Sequence, residues 1–167
     1  MAGRLSNADV NSLALRHALG RFATGVTVIT CLAEDGKPVG MTVNSFNALS
    51  LHPPLILWSL RRASASLRHY AAAAHFAVNV LAADQLALSR RFASGAADRF
   101  ALGNWQPGQH GAPVLAGCAA VFECAMHSQQ MAGDHVLFIG RVLHTSDAAV
   151  APLLFHGGHY RTLGEAL

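Results

Sequence analysis

Charged and aromatic residues are scarce in this chain of 167 residues, at 13% and 7% of the sequence. Twelve basic residues outweigh nine acidic ones, which gives a formal net charge of +3, and the basic residues are scattered along the chain. A nucleic-acid-binding surface requires a dense basic patch interleaved with aromatic residues, so this composition argues against nucleic acid as a partner. A small anionic molecule is compatible with the charge.

Cysteine is also rare, since Cys31, Cys118 and Cys124 are the only three. Their odd number and the absence of a Cys-x-x-Cys spacing argue against a disulfide framework. We expect buried free thiols that pack as small hydrophobes, with a redox pair as the weaker alternative. The ten histidines show no His-Glu-x-x-His spacing, so no metal site is predicted.

The familiar nucleotide-binding and hydrolase motifs are missing. No Gly-x-Gly-x-x-Gly follows a strand, no Gly-Lys-Ser/Thr closes a phosphate loop, and no serine lies in a Gly-x-Ser-x-Gly turn. These absences argue against a Rossmann domain, a P-loop ATPase and a serine hydrolase.

One charge-free run, residues 38–60, is long enough to span a bilayer, and the mean hydropathy of the chain is +0.31. Its polar residues, among them Asn44 and Asn47, and its Pro53-Pro54 pair would leave unsatisfied polar groups and a broken helix in hydrocarbon. Residues 1–20 carry charges and no continuous apolar core, so no signal peptide is visible. We therefore expect a soluble, cytoplasmic protein without a membrane segment.

With 52% apolar residues, the chain can bury a substantial core, and we expect a single domain over residues 1–167. Apolar positions between residues 8 and 22 predict an amphipathic opening helix. Ser6 or Asn7 is available as its N-cap, and the helix should end near Gly25.

The rest of the pattern is mostly strand. The predicted strands span residues 26–32, 39–43, 54–60, 76–81, 114–127 and 136–144, and the predicted helices span residues 64–74 and 83–93. The first two strands should form a hairpin through the Asp35-Gly36 turn, and residues 94–111 should form a long surface loop. Because strands and helices do not alternate, we predict a mainly β fold, an antiparallel barrel with peripheral helices.

Residues 40–46, Gly-Met-Thr-Val-Asn-Ser-Phe, carry small hydroxyl and amide side chains where a buried strand would carry branched apolar ones. The segment lies between two predicted sheet elements, which is a common place for a ligand site. We therefore predict that a polar ligand lies against this backbone.

Two further residues allow two interpretations each. His135 follows Gly133-Asp134 at a predicted turn, which exposes its imidazole at a sheet end with a carboxylate beside it; an ordinary exposed turn histidine is the alternative. Thr27 either lines a site with its hydroxyl or belongs to an ordinary strand.

Taken together, these segments resemble the short-chain flavin reductases, which have a split-barrel flavin-binding fold and often serve as the small component of two-component flavin-dependent monooxygenases. Each segment alone is weakly diagnostic, but their order and spacing extend over most of the chain. The matching segments are Arg21-Phe-Ala-Thr-Gly-Val-Thr-Val-Ile-Thr30, Gly40-Met-Thr-Val-Asn-Ser-Phe46, Pro53-Pro-Leu55, Phe76-Ala-Val-Asn-Val-Leu81, Gly133-Asp-His135 with Gly140, and Pro152-Leu-Leu-Phe155 to Tyr160.

The resemblance implies a six-stranded antiparallel Greek-key split barrel that forms a homodimer, with the flavin in a groove near the subunit interface. His135 would be the catalytic residue and face the nicotinamide, and Tyr160 would belong to the pocket wall. The other implied flavin contacts are Thr27, Met41, Thr42, Val43, Asn44, Ser45, Ser59, Leu60, Ser64, Ser66, Arg91 and Phe92.

The same resemblance divides these contacts by role. The segment 42–45 would meet the polar edge of the isoalloxazine, and the serines of the segment 59–66, with Arg61 or Arg62, would surround the ribityl chain and phosphate. Arg91 and Phe92 would contact the distal part of the cofactor. Helix capping is the alternative for the serines, and a solvated helix end is the alternative for Arg91.

The implied activity is reduction of FMN or FAD by hydride from NADH or NADPH, with the reduced flavin passing to a partner monooxygenase. Two alternatives are a flavin- or haem-binding split-barrel protein without reductase activity and an oxidase of the pyridoxamine-phosphate type. The oxidase is disfavoured because no basic cluster for a substrate phosphate is evident. The sequence separates neither FMN from FAD nor NADH from NADPH.

Overall fold

Strands predominate over short helices in the computed structural model, which describes residues 11–166. The helices are α1 (Ser12–Leu19), α2 (Leu67–Ala72) and α3 (Leu86–Ala93), with 3-10 turns at Ala83–Gln85 and Arg99–Ala101. The strands are β1 (Thr24–Gly25), β2 (Thr27–Leu32), β3 (Pro38–Val43), β4 (Asn47–Leu51), β5 (Pro54–Arg61), β6 (His75–Val80), β7 (Trp105–Pro107), β8 (Pro113–Leu115), β9 (Ala120–Ala132), β10 (His135–Asp147), β11 (Leu154–His156) and β12 (His159–Arg161). The predicted mainly β class is confirmed.

The principal sheet has seven strands in the order β3-β2-β6-β9-β10-β5-β4, and every neighbouring pair is antiparallel. The predicted hairpin is confirmed, because β2 and β3 pair from Thr27 opposite Val43 to Leu32 opposite Pro38. The sheet includes β4, which the sequence pattern does not predict. Two small sheets, β1-β11-β12 and β7-β8, lie beside it.

The larger core is built around Trp58, which is fully buried. Its ring stacks on Phe138 at a centroid distance of 4.5 Å and meets Tyr70 edge-on at 5.0 Å. Such aromatic pairs contribute about 0.5–1.5 kcal/mol beyond their buried area. The Tyr70 hydroxyl also donates to the Ile29 carbonyl oxygen, which ties α2 to β2.

The three thiols are free and buried, as the sequence predicts. Cys31 and Cys124 belong to the core around Trp58, and Cys118 belongs to a second core that includes side chains of α3. Burial raises the pKa of each thiol to about 12. The thiols therefore stay protonated at neutral pH, which agrees with a packing role.

The opening helix is shorter than predicted. α1 begins after Asn11, whose side-chain oxygen accepts hydrogen bonds from two amides of the first turn. It ends at Leu19 rather than near Gly25, because the chain then pairs as β1 with β11. The expected caps, Ser6 and Asn7, lie outside the described residues. Within residues 11–166, no helix is long and apolar enough to cross a bilayer.

The region predicted as one long loop contains a strand and a 3-10 turn. The Trp105 ring packs against Phe92 and Phe100 at 5.2 and 5.0 Å between centroids, and this packing accompanies the pairing of β7 with β8. The predicted strand over residues 114–127 is consequently divided into β8 and β9. The turn between them contains Gly117, whose φ of +76° favours glycine.

Candidate functional site

The end of β3 borders an open pocket of about 180 Å³, called the β3 pocket below. Its lining residues are Val26, Thr42, Val43, Asn44, Phe155 and Tyr160. The rings of Phe155 and Tyr160 lie 5.4 Å apart at an angle of 70°. The pocket therefore combines polar groups from β3 with aromatic rings from β11 and β12, which is a combination typical of small-molecule sites.

The β3 side of this pocket is held in place by hydroxyl groups. The Thr27 hydroxyl donates to the Val43 carbonyl oxygen at 2.9 Å, and the Thr42 hydroxyl donates to the Ser89 carbonyl oxygen at 2.7 Å. Thr27 is only 2% exposed, so it supports the pocket from one layer behind instead of lining it. Of the predicted residues with a polar group in the side chain, Thr42, Asn44 and Tyr160 line the pocket.

Ser45 joins the end of β3 to β5. Its hydroxyl donates to the Ser59 carbonyl oxygen at 2.9 Å and accepts a hydrogen bond from the Ser59 amide at 3.0 Å. The pairing of β4 with β5 ends at Leu57, so one side chain satisfies both backbone groups that lie just beyond the ladder. The structure thus brings together two residues that the resemblance places in the site.

Ser89 is a buried residue next to the pocket that the sequence analysis does not single out. Its carbonyl oxygen accepts the Thr42 hydrogen bond, and its hydroxyl lies 2.9 Å from the Tyr160 hydroxyl. The Arg90 guanidinium lies 5.9 Å from the centre of the Tyr160 ring. The sequence does contain a pattern that could have indicated Ser89. A serine three residues before Phe92 places a polar group on the apolar face of α3.

Gly40 has a different role from the one that its place in the polar segment suggests. A Cβ atom at this position would lie 2.5 Å from Phe92 Cε1 and 3.0 Å from the Phe100 ring, so the missing side chain makes room for aromatic packing. Phe92 is 1% exposed and belongs to the second core. The structure therefore places this predicted cofactor contact in the core, where its ring lines neither the β3 pocket nor the pocket at the other end of β3.

A second pocket, of about 220 Å³, lies at the beginning of β3 and is called the Arg99 pocket below. Ser66, His69 and Arg99 supply its polar side chains, and no carboxylate lines it. Arg99 donates to the Gly40 carbonyl oxygen at 3.2 Å, and its Nε is buried without a hydrogen-bond partner among the described residues. Ser64 lies beside the pocket and accepts a hydrogen bond from the Ser66 amide at 3.3 Å.

Arg91, which the resemblance assigns to the distal part of the cofactor, is engaged elsewhere. Its guanidinium forms a salt bridge of 2.8 Å with the Asp98 carboxylate and donates twice to the backbone carbonyl oxygen of the same residue. Arg99, and not Arg91, lines the pocket at the beginning of β3. Sequence patterns did not indicate it, because it lies in the stretch without periodicity.

His135 begins β10, opposite Arg61 of β5, and its imidazole is 38% exposed. Its Nδ1 lies 2.8 Å from the Asp134 carboxylate, and this hydrogen bond lowers the pKa of the Asp134 carboxyl from its ordinary value of 3.8. The predicted geometry, an exposed imidazole at a sheet end beside a carboxylate, is therefore found. His135 does not line the β3 pocket, but Ser59, which Ser45 binds, lies two residues before Arg61 on β5.

The other residues of the predicted set face the protein interior. Leu60 is 5% exposed and belongs to the core around Trp58, and Met41 packs against that core. Val43 lines the β3 pocket and also packs against the core. Within residues 11–166, no group of three or more His, Cys, Asp or Glu side chains is placed to hold a metal ion.

Residues 19–164 match the family model described as the flavin reductase like domain. The chain belongs to this flavin reductase family. FMN reductase (NADH) SmoA of Agrobacterium fabrum is 45% identical over 150 residues, which cover 90% of this chain and 85% of that protein. The reductase subunit HsaB of a flavin-dependent monooxygenase from Mycobacterium tuberculosis is 39% identical over 157 residues, covering 92% of this chain and 83% of that protein.

A solved structure of another flavin reductase also resembles this chain. NADH:FAD oxidoreductase SgcE6 of Streptomyces globisporus, in complex with NAD and FAD fragments, matches with a TM-score of 0.87 and 38% identity, covering 92% of this chain and 93% of that one. Some relatives are longer. A probable flavin reductase of Rhizobium meliloti is 44% identical over 149 residues, and this chain covers 48% of its length.

Proposed function

We propose that this chain is an NAD(P)H:flavin oxidoreductase that reduces FMN or FAD and supplies the reduced flavin to a partner monooxygenase. The proposal is supported by relatives that are flavin or FMN reductases and by one that is the reductase subunit of a monooxygenase. The observation that carries it is the β3 pocket, where polar groups of one strand and two aromatic rings line the same space.

The side chains of the β3 pocket fit the ring system of a flavin. Phe155 and Tyr160 offer apolar ring surface, which suits a planar aromatic ligand. Thr42 and Asn44 offer polar groups to the pyrimidine edge, where two carbonyl oxygens flank an imide N–H. The Asn44 side chain brings both a hydrogen-bond donor and an acceptor to the pocket that it lines.

The Arg99 pocket suits the phosphate end of the same ligand. Arg99 carries a full positive charge and retains unused N–H donors, and Ser66 adds a hydroxyl. Gly40 lines the Arg99 pocket, and Asn44, four positions further along the chain, lines the β3 pocket. Four positions of extended chain span roughly 13 Å at about 3.3 Å per residue. An elongated ligand along β3 would therefore place its ring and its phosphate in separate pockets.

In this role the chain positions two ligands and needs little acid–base chemistry. A bound flavin accepts hydride from the nicotinamide, and stacking the two rings at reactive distance is the main requirement placed on the protein. Thr42, Asn44 and Ser45 would hold the flavin edge. His135 would contact the nicotinamide, because its imidazole stands exposed at the same end of β5 as Ser59.

We also propose a single-domain Greek-key split barrel that forms a homodimer, with the flavin groove near the subunit interface. Apolar side chains that the described chain leaves uncovered support an interface with a second copy. Leu13 is 74% exposed, Phe22 is 70% exposed and Leu51 is 83% exposed. Burial of these three side chains against a second copy would remove apolar surface from water and so stabilise a dimer.

Flavin-dependent oxidation of NADH by the purified protein tests the proposed function. We expect rapid loss of nicotinamide absorbance with FMN or FAD present and negligible loss without flavin. Kinetics with both flavins and both nicotinamides would then identify the preferred pair. A rate of NADH oxidation that does not depend on added flavin would contradict the proposal. A haem absorption band without NADH turnover would contradict it and favour a non-enzymatic binding protein.

A further inference from the structure

The Thr42 hydroxyl has its direction fixed by its partner. It lies 2.7 Å from the Ser89 carbonyl oxygen, and a carbonyl oxygen has no proton to give. The hydroxyl must therefore donate in this bond, which uses its only proton. Thr42 also lines the β3 pocket, so the hydrogen-bonding capacity that its hydroxyl retains for a ligand there is a lone pair.

The same direction recurs at the two neighbouring hydroxyls. Thr27 donates to the Val43 carbonyl oxygen at 2.9 Å, and Ser45 donates to the Ser59 carbonyl oxygen at 2.9 Å. All three hydroxyls, those of Thr27, Thr42 and Ser45, thus donate their proton to a backbone carbonyl oxygen. Of the three, Thr42 is the one that lines the pocket, and its hydroxyl can only accept a hydrogen bond from a ligand.

The partner of Thr42 is itself held in place. Ser89 is fully buried in α3, and its hydroxyl lies 2.9 Å from the Tyr160 hydroxyl, which joins the helix to β12. The Ser89 carbonyl oxygen belongs to the backbone of α3, so it cannot turn away to release the Thr42 proton without disturbing the helix, whether or not the Ser89 hydroxyl keeps its partner. The acceptor character of Thr42 is a property of the fold and not of one rotamer.

An acceptor in this place favours one atom of a flavin. In an oxidised flavin, only N3 of the isoalloxazine pyrimidine edge carries a proton, and the carbonyl oxygens on both sides of it are acceptors that Thr42 cannot satisfy. We infer that the Thr42 hydroxyl accepts the N3–H hydrogen bond and so selects ligands with an imide N–H, the Asn44 amide being placed to donate to a flanking carbonyl. This inference rests on the proposed flavin reductase function.

Flavin methylated at N3 is the ligand that tests this assignment, because the methyl group removes the donor. We expect the unmodified protein to bind FMN about tenfold more tightly than N3-methyl-FMN, the factor that corresponds to one charge-free hydrogen bond of about 1.4 kcal/mol. Thr42→Val keeps the shape and loses the acceptor, so it should bind both flavins with similar affinity. Thr42→Ser should retain the preference for FMN.

Ser89→Ala is the matched control, since it removes the Tyr160 partner but keeps the carbonyl oxygen that receives the Thr42 proton. Its ratio of affinities should equal that of the unmodified protein. A Thr42→Val protein that still prefers FMN tenfold would overturn the inference, and Thr42→Ala gives the same comparison if Thr42→Val does not fold. Equal binding of both flavins by the unmodified protein would also overturn it.

Failure of the proposed flavin reductase function and failure of the Thr42 assignment give different experimental results. If the unmodified protein binds no FMN at all in equilibrium titration, the proposed function fails and takes this inference with it. If FMN binds and supports NADH oxidation while the Thr42 variants leave the affinity ratio unchanged, the function stands and only the assignment of N3–H is lost.

Discussion

The wall of the β3 pocket and the turn that carries His135 present polar groups in opposite ways. In the wall and directly behind it, the hydroxyls of Thr27, Thr42 and Ser45 each donate to a backbone carbonyl oxygen. At the turn, His135 is 38% exposed, and its side-chain partner is the carboxylate of Asp134, which is 85% exposed. The wall is thus fixed before a ligand arrives, whereas the turn is open to solvent.

This difference suits two ligands with different residence times. A wall whose hydroxyls are already ordered loses little conformational entropy on binding, so it can recognise the fixed edge of a rigid ring. An exposed turn holds a ligand through few buried contacts, which suits a nicotinamide that must leave after each transfer. Variants of the wall should therefore change flavin affinity, and variants of the turn should change nicotinamide use.

The largest difference between the effect on nicotinamide use and the effect on flavin affinity is expected from His135→Ala. Loss of the imidazole should lower kcat/KM for NADH or NADPH on the order of 100-fold, the size that a misplaced reacting group typically costs. The dissociation constant for flavin should change by less than about twofold, because His135 does not line the β3 pocket. Steady-state kinetics and a flavin titration on the same protein provide both numbers.

The control for this variant is the fold itself, measured as the denaturant midpoint of unfolding. An unchanged midpoint would show that the kinetic effect is local. A His135→Ala protein with full catalytic efficiency for both nicotinamides would remove the assigned role. A flavin affinity that falls as far as the nicotinamide efficiency would mean that the two regions form one site.

The wall of the β3 pocket could be predicted only in part. Its polar residues are contiguous in the sequence, but their hydrogen-bond partners are distant in the sequence. Residues 40–46 showed an unusual polar strand, and the β2–β3 hairpin followed from β-branched residues and an Asp-Gly turn. Neither pattern reveals that Thr42 binds Ser89, since 47 residues separate them. The close packing at Gly40 is not visible in the sequence for the same reason, because the rings that fill the space of its missing side chain come from α3 and the region beyond it.

Ser45→Ala should have a smaller effect than His135→Ala, and it should act on stability and flavin affinity. It leaves the Ser59 amide and carbonyl oxygen without the hydroxyl that serves both, and an unsatisfied half-buried backbone group costs about 1–3 kcal/mol. We expect the free energy of unfolding to fall by that amount and the flavin affinity to fall several-fold, with little change in KM for NADH. Urea unfolding and flavin titration measure the two effects.

Ser50→Ala is a matched control for Ser45→Ala, because it removes a half-buried serine hydroxyl from the neighbouring strand β4 and leaves the Ser45–Ser59 hydrogen bonds in place. It should leave both stability and flavin affinity close to those of the unmodified protein. Equal losses in the two variants would show that Ser45 is an ordinary strand residue and that the wall does not depend on its link to β5.

The short strands illustrate the other limit of sequence patterns. β1 has two residues and pairs with β11, so that Thr24 lies opposite Phe155 at a separation of 131 residues. No periodicity exists in two residues, and the pairing depends on the folded sheet beside it. The aromatic side of the β3 pocket, which Phe155 and Tyr160 supply, is therefore assembled by contacts that sequence patterns do not predict, although the resemblance had already implied Tyr160.

The smallest effect is expected from Asp134→Asn, which keeps a hydrogen-bond acceptor for His135 and removes the charge. The hydrogen bond from His135 lowers the pKa of the Asp134 carboxyl below 3.8, so the carboxylate is ionised at every pH where the enzyme would be assayed. Its contribution to folding is present above pH 3.8 and is lost as the pH falls through the lowered folded-state pKa. Because the pair is exposed, the variant should lower kcat/KM for NADH by about threefold or less and leave flavin affinity unchanged. A loss as large as that of His135→Ala would mean that the carboxylate is needed to orient the imidazole, and the turn would then be as fixed as the wall.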